Sequence, residues 1–139
     1  MSSTATTTGR EVPLILLAED HQDTRQMYAE FLGIGFHVLT AADGEQALAS
    51  VRAHRPDLLI TDLSLPGIDG FELMSEVRRD PSLRDLPIIC LSGYGGEAYE
   101  DRARAAGCDR LLLKPCMPDA LADVAAEVLQ EAAQRREHS

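Results

Sequence analysis

The stretch Leu58-Leu59-Ile60-Thr61-Asp62-Leu63-Ser64-Leu65-Pro66-Gly67-Ile68-Asp69-Gly70-Phe71-Glu72 decides the fold. It opens on a short, unbroken apolar run. Such a run, without the alternation of a half-exposed strand, reads as a strand buried on both faces. The run ends on one carboxylate, Asp62. Asp69-Gly70-Phe71-Glu72 then offers a capping-box-like helix start. Leu73, Met74 and Val77 follow at helical spacing, and this third helix is expected to end near Pro81.

The same unit recurs on either side. Leu14 to Ala18 is a continuously apolar strand, Phe36 to Ala41 a weaker, edge-like one, Ile88 to Leu91 a buried one, and Leu111 to Leu113 the last. A first helix is expected from Gln22 to Leu32, with Met27, Phe31 and Ile34 along one face and Gly33 and Gly35 ending it. A second opens at Asp43-Gly44-Glu45-Gln46, buries Ala47, Leu48 and Val51, and stops before Pro56. A fourth, Glu97 to Ala106, is short, Ala-rich and weakly held. The fifth starts at Pro118, a favoured first helical residue, and turns Leu121, Val124, Ala125 and Val128 inward. Strand and helix alternating five times imply a parallel sheet covered on both faces. Right-handed crossovers leave few topologies. The expectation is a single doubly wound (βα)5 α/β domain, flavodoxin-like, with strand order 2-1-3-4-5. It occupies residues 12–132, between a disordered tail (1–11) and a frayed end (133–139).

Composition limits the function. The formal charge is −10, from 13 basic and 23 acidic residues. Binding to nucleic acid or to an anionic membrane needs clustered Lys and Arg, so neither is expected. No apolar run approaches a membrane span of about 20 residues, and Met1 to Gly9 lacks the pattern of a secretory signal. Cys90, Cys108 and Cys116 are odd in number and show no Cys-x-x-Cys spacing, so neither a disulfide framework nor a zinc site is suggested. A reducing cytoplasm is the simplest setting. Aromatics are 4% and Trp is absent, so the core must be aliphatic.

Ligands bind such sheets beyond the carboxyl ends of the strands. There the first strand is followed by Glu19-Asp20, the third ends in Asp62, the fourth in Ser92-Gly93, and the fifth is followed by Lys114-Pro115. Singly, each has a plain reading: an acidic turn, a cap, a Lys-Pro bend. Jointly they place three carboxylates, a hydroxyl and an ammonium on one rim. Crowded carboxylates call for a proton or a cation. Hard oxygen ligands suit Mg²⁺. Lys114 adds fixed charge, Ser92 a hydrogen bond, and Gly93 leaves space for an incoming group. The set is suited to holding a phosphoryl group on a carboxylate by charge stabilisation.

From about Val12 to about Leu129 the chain resembles the response-regulator receiver family. The resemblance is carried by Leu16-Leu17-Ala18-Glu19-Asp20, by Asp62 to Gly70 with its Pro66-Gly67 and Asp69-Gly70, by Leu91-Ser92-Gly93 and by Leu113-Lys114-Pro115. It implies that Asp62 is the phosphoacceptor, taking a phosphoryl group from phosphohistidine. It implies Mg²⁺ bound by Asp20, by Glu19 directly or through water, by Asp62 and by the backbone carbonyl of Ser64. Ser92 would be the switch hydroxyl and Lys114 the lysine that pairs with the phosphoryl group. The implied partners are a sensor histidine kinase or histidine phosphotransfer protein, and an output protein docking on the face of the fourth helix, fifth strand and fifth helix. Such a protein is a signalling device rather than an enzyme, catalysing only its own phosphorylation and dephosphorylation. The family often has Tyr or Phe where Leu111 stands, so the usual inward swing of a ring is lost here. Met117 stands where the family often has a capping Asp or Ser.

The fifth helix leaves no room for an output domain, so a stand-alone receiver is expected, although a piece of a longer regulator or hybrid kinase would read the same. Two other classes share part of this pattern. A receiver fold used only for phosphorylation-independent docking has no need of the intact rim. A phosphatase of the aspartyl-phosphate type needs a second Asp two residues after the first, where Ser64 stands. His21 reads as a solvent-facing residue entering the first helix, and His37, His54 and His138 as surface residues. Cys116 reads as packing. Tyr94, near the mouth of the rim, reads equally as a control on water access and as an exposed loop aromatic.

Overall fold

The computed structural model describes residues 10–137. Along them run β1 (Leu14–Ala18), α1 (Gln22–Leu32), β2 (His37–Ala41), α2 (Gly44–His54), β3 (Leu58–Asp62), α3 (Gly70–Arg79), β4 (Ile88–Ser92), α4 (Glu97–Ala106), β5 (Arg110–Leu113) and α5 (Pro118–Glu137). The five strands pair in parallel in the order β2-β1-β3-β4-β5, as the alternation predicts. The register matters for function. Ala18 is level with Thr61, Asp62 with Leu91, and Ser92 with Leu113. Glu19, Asp62, Ser92 and Lys114 therefore leave the sheet side by side.

Successive side chains of a strand point to opposite faces, and this divides the core in two. Leu16, Leu59, Ile88 and Cys90 join Ala47, Val51, Leu73, Met74 and Val77 in the layer under α2 and α3. Ile15, Leu17, Leu58, Ile60, Ile89 and Leu91 meet Tyr28, Leu32, Leu121, Ala125 and Val128 under α1 and α5. Each fully buried Leu or Ile contributes roughly 1.5–3 kcal/mol. The starts of α2 and α3 are capped as expected, Asp43 accepting from Gln46 N at 2.8 Å and Asp69 from Glu72 N at 2.9 Å. Leu48 and Val124 are only half-buried.

Three expectations are corrected. In α1 the buried residues are Tyr28 and Leu32, while Ile34 is 82% exposed and Met27 and Phe31 also face outward. The inward phase is one residue off because Tyr28 can bury its ring: its hydroxyl donates to the Cys116 carbonyl at 2.7 Å. Arg10, placed in the tail from sequence, is tied down. Its guanidinium donates to Asp57 Oδ2 (3.2 Å) and to the carbonyls of His54 (2.8 Å) and Arg55 (3.1 Å). At the other end α5 is helical to Glu137, with Ala132 buried and Glu131 accepting from Arg110 at 2.8 Å. Residues 1–9 of the expected tail, and His138, lie outside the described residues.

The rim is braced from below. Gly44 donates to the Pro66 carbonyl at 3.3 Å, and a Cβ at Gly44 would stand 2.0 Å from the Ile68 carbonyl oxygen. Gly70 likewise sits against Asp62, where a Cβ would fall 2.5 Å from that residue's carbonyl oxygen. Main chain cannot yield as a side-chain tip can. Gly44→Ala is expected to destabilise the protein by about 1–3 kcal/mol, the usual cost of overpacking, read as a lower urea midpoint. An unchanged midpoint would show that the β3–α3 loop gives way freely.

At the opposite end of the sheet, Arg78 holds several turns together. It donates to the carbonyls of Gly107 (2.6 Å), Arg84 (2.7 Å) and Leu86 (2.7 Å), and to Asp109 Oδ2 at 3.2 Å. Nothing in the spacing of the sequence signals this. By contrast α4 buries only Ala103, and it follows Gly96, whose φ of 111° lies in the region that favours glycine. The weak anchoring expected of α4 fits this.

Candidate functional site

The rim is built around Asp62, which is 5% exposed, and Glu19, which is 0% exposed. Two buried carboxylates side by side need a counter-charge. Lys114 provides it: its ammonium lies 2.5 Å from Asp62 Oδ2 and 2.9 Å from Glu19 Oε1. Burial works to lower the Lys114 pKa, but the hydrogen bonds to Asp62 and Glu19 outweigh it and hold the pKa above its ordinary value. The second oxygen of Asp62, Oδ1, accepts from Ser64 N at 3.2 Å. Arg25 reaches back from α1 to donate to the carbonyls of Glu19 (2.9 Å) and Asp20 (3.4 Å), a support that sequence reading missed.

Asp20 is half-buried and lines an open cleft with Asp62, Ser64, Ser92, Gly93 and Lys114. Ser92 lies in this cleft, but its hydroxyl is turned into its own loop. It donates to the Tyr94 carbonyl at 2.9 Å and accepts from Tyr94 N at 3.0 Å. A Cβ at Gly93 would meet nothing within 4 Å, so the space there is open. Tyr94 is exposed and stands with Tyr99 at the mouth, ring centroids 6.0 Å apart. Leu111 is half-buried and packs against the α2–α3 layer. As the sequence suggests, His21 is solvent-facing at the entry to α1, its side chain 74% exposed, with Nδ1 3.3 Å from Glu19 Oε2. The donor atoms of Glu19, Asp20 and His21 lie within 4.8 Å of one another.

A family model described as the response regulator receiver domain matches residues 15–126. The chain belongs to that family. The receiver is 28% identical over 102 residues to the polar-differentiation response regulator DivK of Brucella anthropi, covering 73% of this chain and 83% of that one. The chemotaxis response regulator CheY4 of Vibrio cholerae superposes with a TM-score of 0.80 at 30% identity, over 84% of this chain and 98% of that one. The receiver domain of a histidine kinase from Syntrophus aciditrophicus gives 0.79 at 27% identity, over 86% and 92%. Membership makes the chain a signalling domain of two-component type. The carboxylates gathered on the receiver's rim are of the kind with which the family binds Mg²⁺. No helix among the described residues is long and apolar enough to cross a membrane.

Proposed function

We propose that Asp62 accepts a phosphoryl group from a phosphohistidine on a sensor kinase or histidine phosphotransfer protein. The observation that carries this is the Lys114 ammonium set between Asp62 and Glu19. It sets a fixed positive charge against an Asp62 oxygen and lies where charge on a transferred phosphoryl group would develop. In the reaction a carboxylate oxygen of Asp62 attacks phosphorus, the phosphorus–nitrogen bond breaks, and the imidazole leaves. Ser64 N, on Asp62 Oδ1, fixes the carboxylate's orientation. The residues fit Mg²⁺: Asp20 and Asp62 offer oxygens, Ser64 a carbonyl, and Glu19 a contact through water. When bound, the ion would neutralise phosphoryl oxygens. Ser92 must leave its bonds to Tyr94 to reach an acceptor on Asp62, so the β4–α4 loop is the part that reports phosphorylation. Gly93 leaves room for the incoming group. Output then passes to a protein partner through the face of α4, β5 and α5, in a cytoplasmic setting.

The test is incubation with acetyl phosphate and Mg²⁺, with the added phosphoryl group mapped by borohydride trapping. Label on Asp62 supports the reading, and label on another residue overturns it. The metal has its own check. Binding to the folded state alone raises stability by mass action. Millimolar Mg²⁺ is expected to raise the melting temperature of the wild type and to do so far less in Asp20→Ala. Equal shifts in both would place the ion elsewhere.

A further inference from the structure

At the end of the sheet opposite the rim, the last turns of α3, α4 and α5 and the loop before β4 stand around a cavity of about 570 Å³. Arg78, Arg84, Arg104, Arg135 and Arg136 line it, five of the 13 basic residues in a chain of formal charge −10. Cations in the last turn of a helix answer its dipole, and that accounts for Arg78, Arg104, Arg135 and Arg136 on their own helices. It does not account for Arg84, which belongs to no helix, or for the space left between the five. Arg78 holds the wall together through the carbonyls of Gly107, Arg84 and Leu86. The guanidiniums of Arg84 and Arg135 are exposed and make no hydrogen bond or ion pair among the described residues.

Guanidiniums take phosphate in paired hydrogen bonds and lie flat on aromatic rings. The volume falls within the range of small-ligand sites, about 300–1,000 Å³. Two carboxylates, Asp85 and Asp109, complete the wall. Asp109 uses Oδ2 on Ile88 N (2.8 Å) and Arg78 (3.2 Å), which leaves Oδ1 to accept from a ligand. Carboxylates repel a ligand that is phosphate throughout, but they accept from hydroxyl and amino groups. We propose that this cavity binds a nucleoside diphosphate, its phosphates on the arginines and its sugar hydroxyls or base amino group on the aspartates. The proposal does not rest on phosphorylation of Asp62.

The experiment is calorimetric titration of the full chain with ADP, with GDP and with inorganic pyrophosphate, in the presence of a chelator so that no ion at the rim can hold the phosphates. At least one nucleotide is expected to bind at one site per chain, more tightly than pyrophosphate and more weakly as salt rises. Arg84→Ala and Arg135→Ala remove exposed side chains, so the fold is expected to persist, and circular dichroism checks this. Each is expected to weaken that nucleotide at least about tenfold, the worth of one charge-assisted hydrogen bond. No binding of either nucleotide at millimolar concentration would overturn the proposal, and so would pyrophosphate binding as tight as theirs, or affinity unaltered in both variants. Sedimentation with vesicles containing phosphatidylinositol phosphate tests the other source of phosphate. Capture by these vesicles without nucleotide binding would assign the cavity to a lipid headgroup and overturn it as well.

Discussion

Asp62→Asn is expected to abolish labelling by acetyl phosphate. An amide lacks the anionic oxygen that attacks phosphorus and cannot form the acyl phosphate. The loss is chemical rather than structural, because Lys114 keeps Glu19 as a partner and the amide oxygen can still accept from Ser64 N. The other buried Asp among the described residues is no substitute. Asp57 lies at the opposite end of β3, where Leu14 N and Arg10 both donate to its Oδ2. Intact-protein mass spectrometry checks the result. Labelling of Asp62→Asn at the wild-type level would move the acceptor to another residue.

The second large effect is on stability. Lys114→Met removes the ammonium that Asp62 and Glu19 share and leaves two buried carboxylates facing one another. Stripping one partner from a buried ion pair costs about 3–5 kcal/mol. The lower end is expected here, because the Lys114 side chain is 25% exposed. Urea unfolding in the presence of a chelator would show it. Added Mg²⁺ should recover part of the loss, since a cation answers the same crowding. A cost below about 1 kcal/mol, as for a surface pair, would mean that water already screens these carboxylates. The sign with pH follows from the raised Lys114 pKa. Its contribution is complete below the unfolded-state value near 10.4 and is lost as pH climbs through the higher folded value. Neutral and mildly acidic buffers therefore leave the Lys114 contribution intact.

The fold was legible in the sequence because each level agreed with the next. Unbroken apolar runs gave the buried strands, and Asp43 and Asp69 marked helix starts that the structure caps as expected. The rim could be assembled in advance for a topological reason: parallel strands of matched length end together, so Glu19, Asp62, Ser92 and Lys114 had to converge. What escaped depended on side-chain reach across the chain. Tyr28 is buried because its hydroxyl finds the Cys116 carbonyl, a contact no helical periodicity reveals. No spacing marks Arg25, Arg78 or Arg10, yet each satisfies backbone carbonyls on turns remote in sequence or at the rim. His21, which reads as a solvent-facing residue entering α1, is exposed in the structure, and only its contact with the acidic pair could not be read from spacing.

The clasp made by Arg78 has a mechanical consequence. It grips Gly107, the residue that closes α4, while the opposite end of that helix follows Gly96 and rests only on the half-buried ring of Tyr99. A helix pinned at one end swings like a door on its hinge, so its travel grows toward Glu97, next to the Ser92–Tyr94 loop. Spin labels would register the arc. One at exposed Glu100 should move further on beryllofluoride addition than one at exposed Arg104, both measured against a fixed label on α5. Equal displacements would mean that α4 slides as a rod and that the clasp lets go.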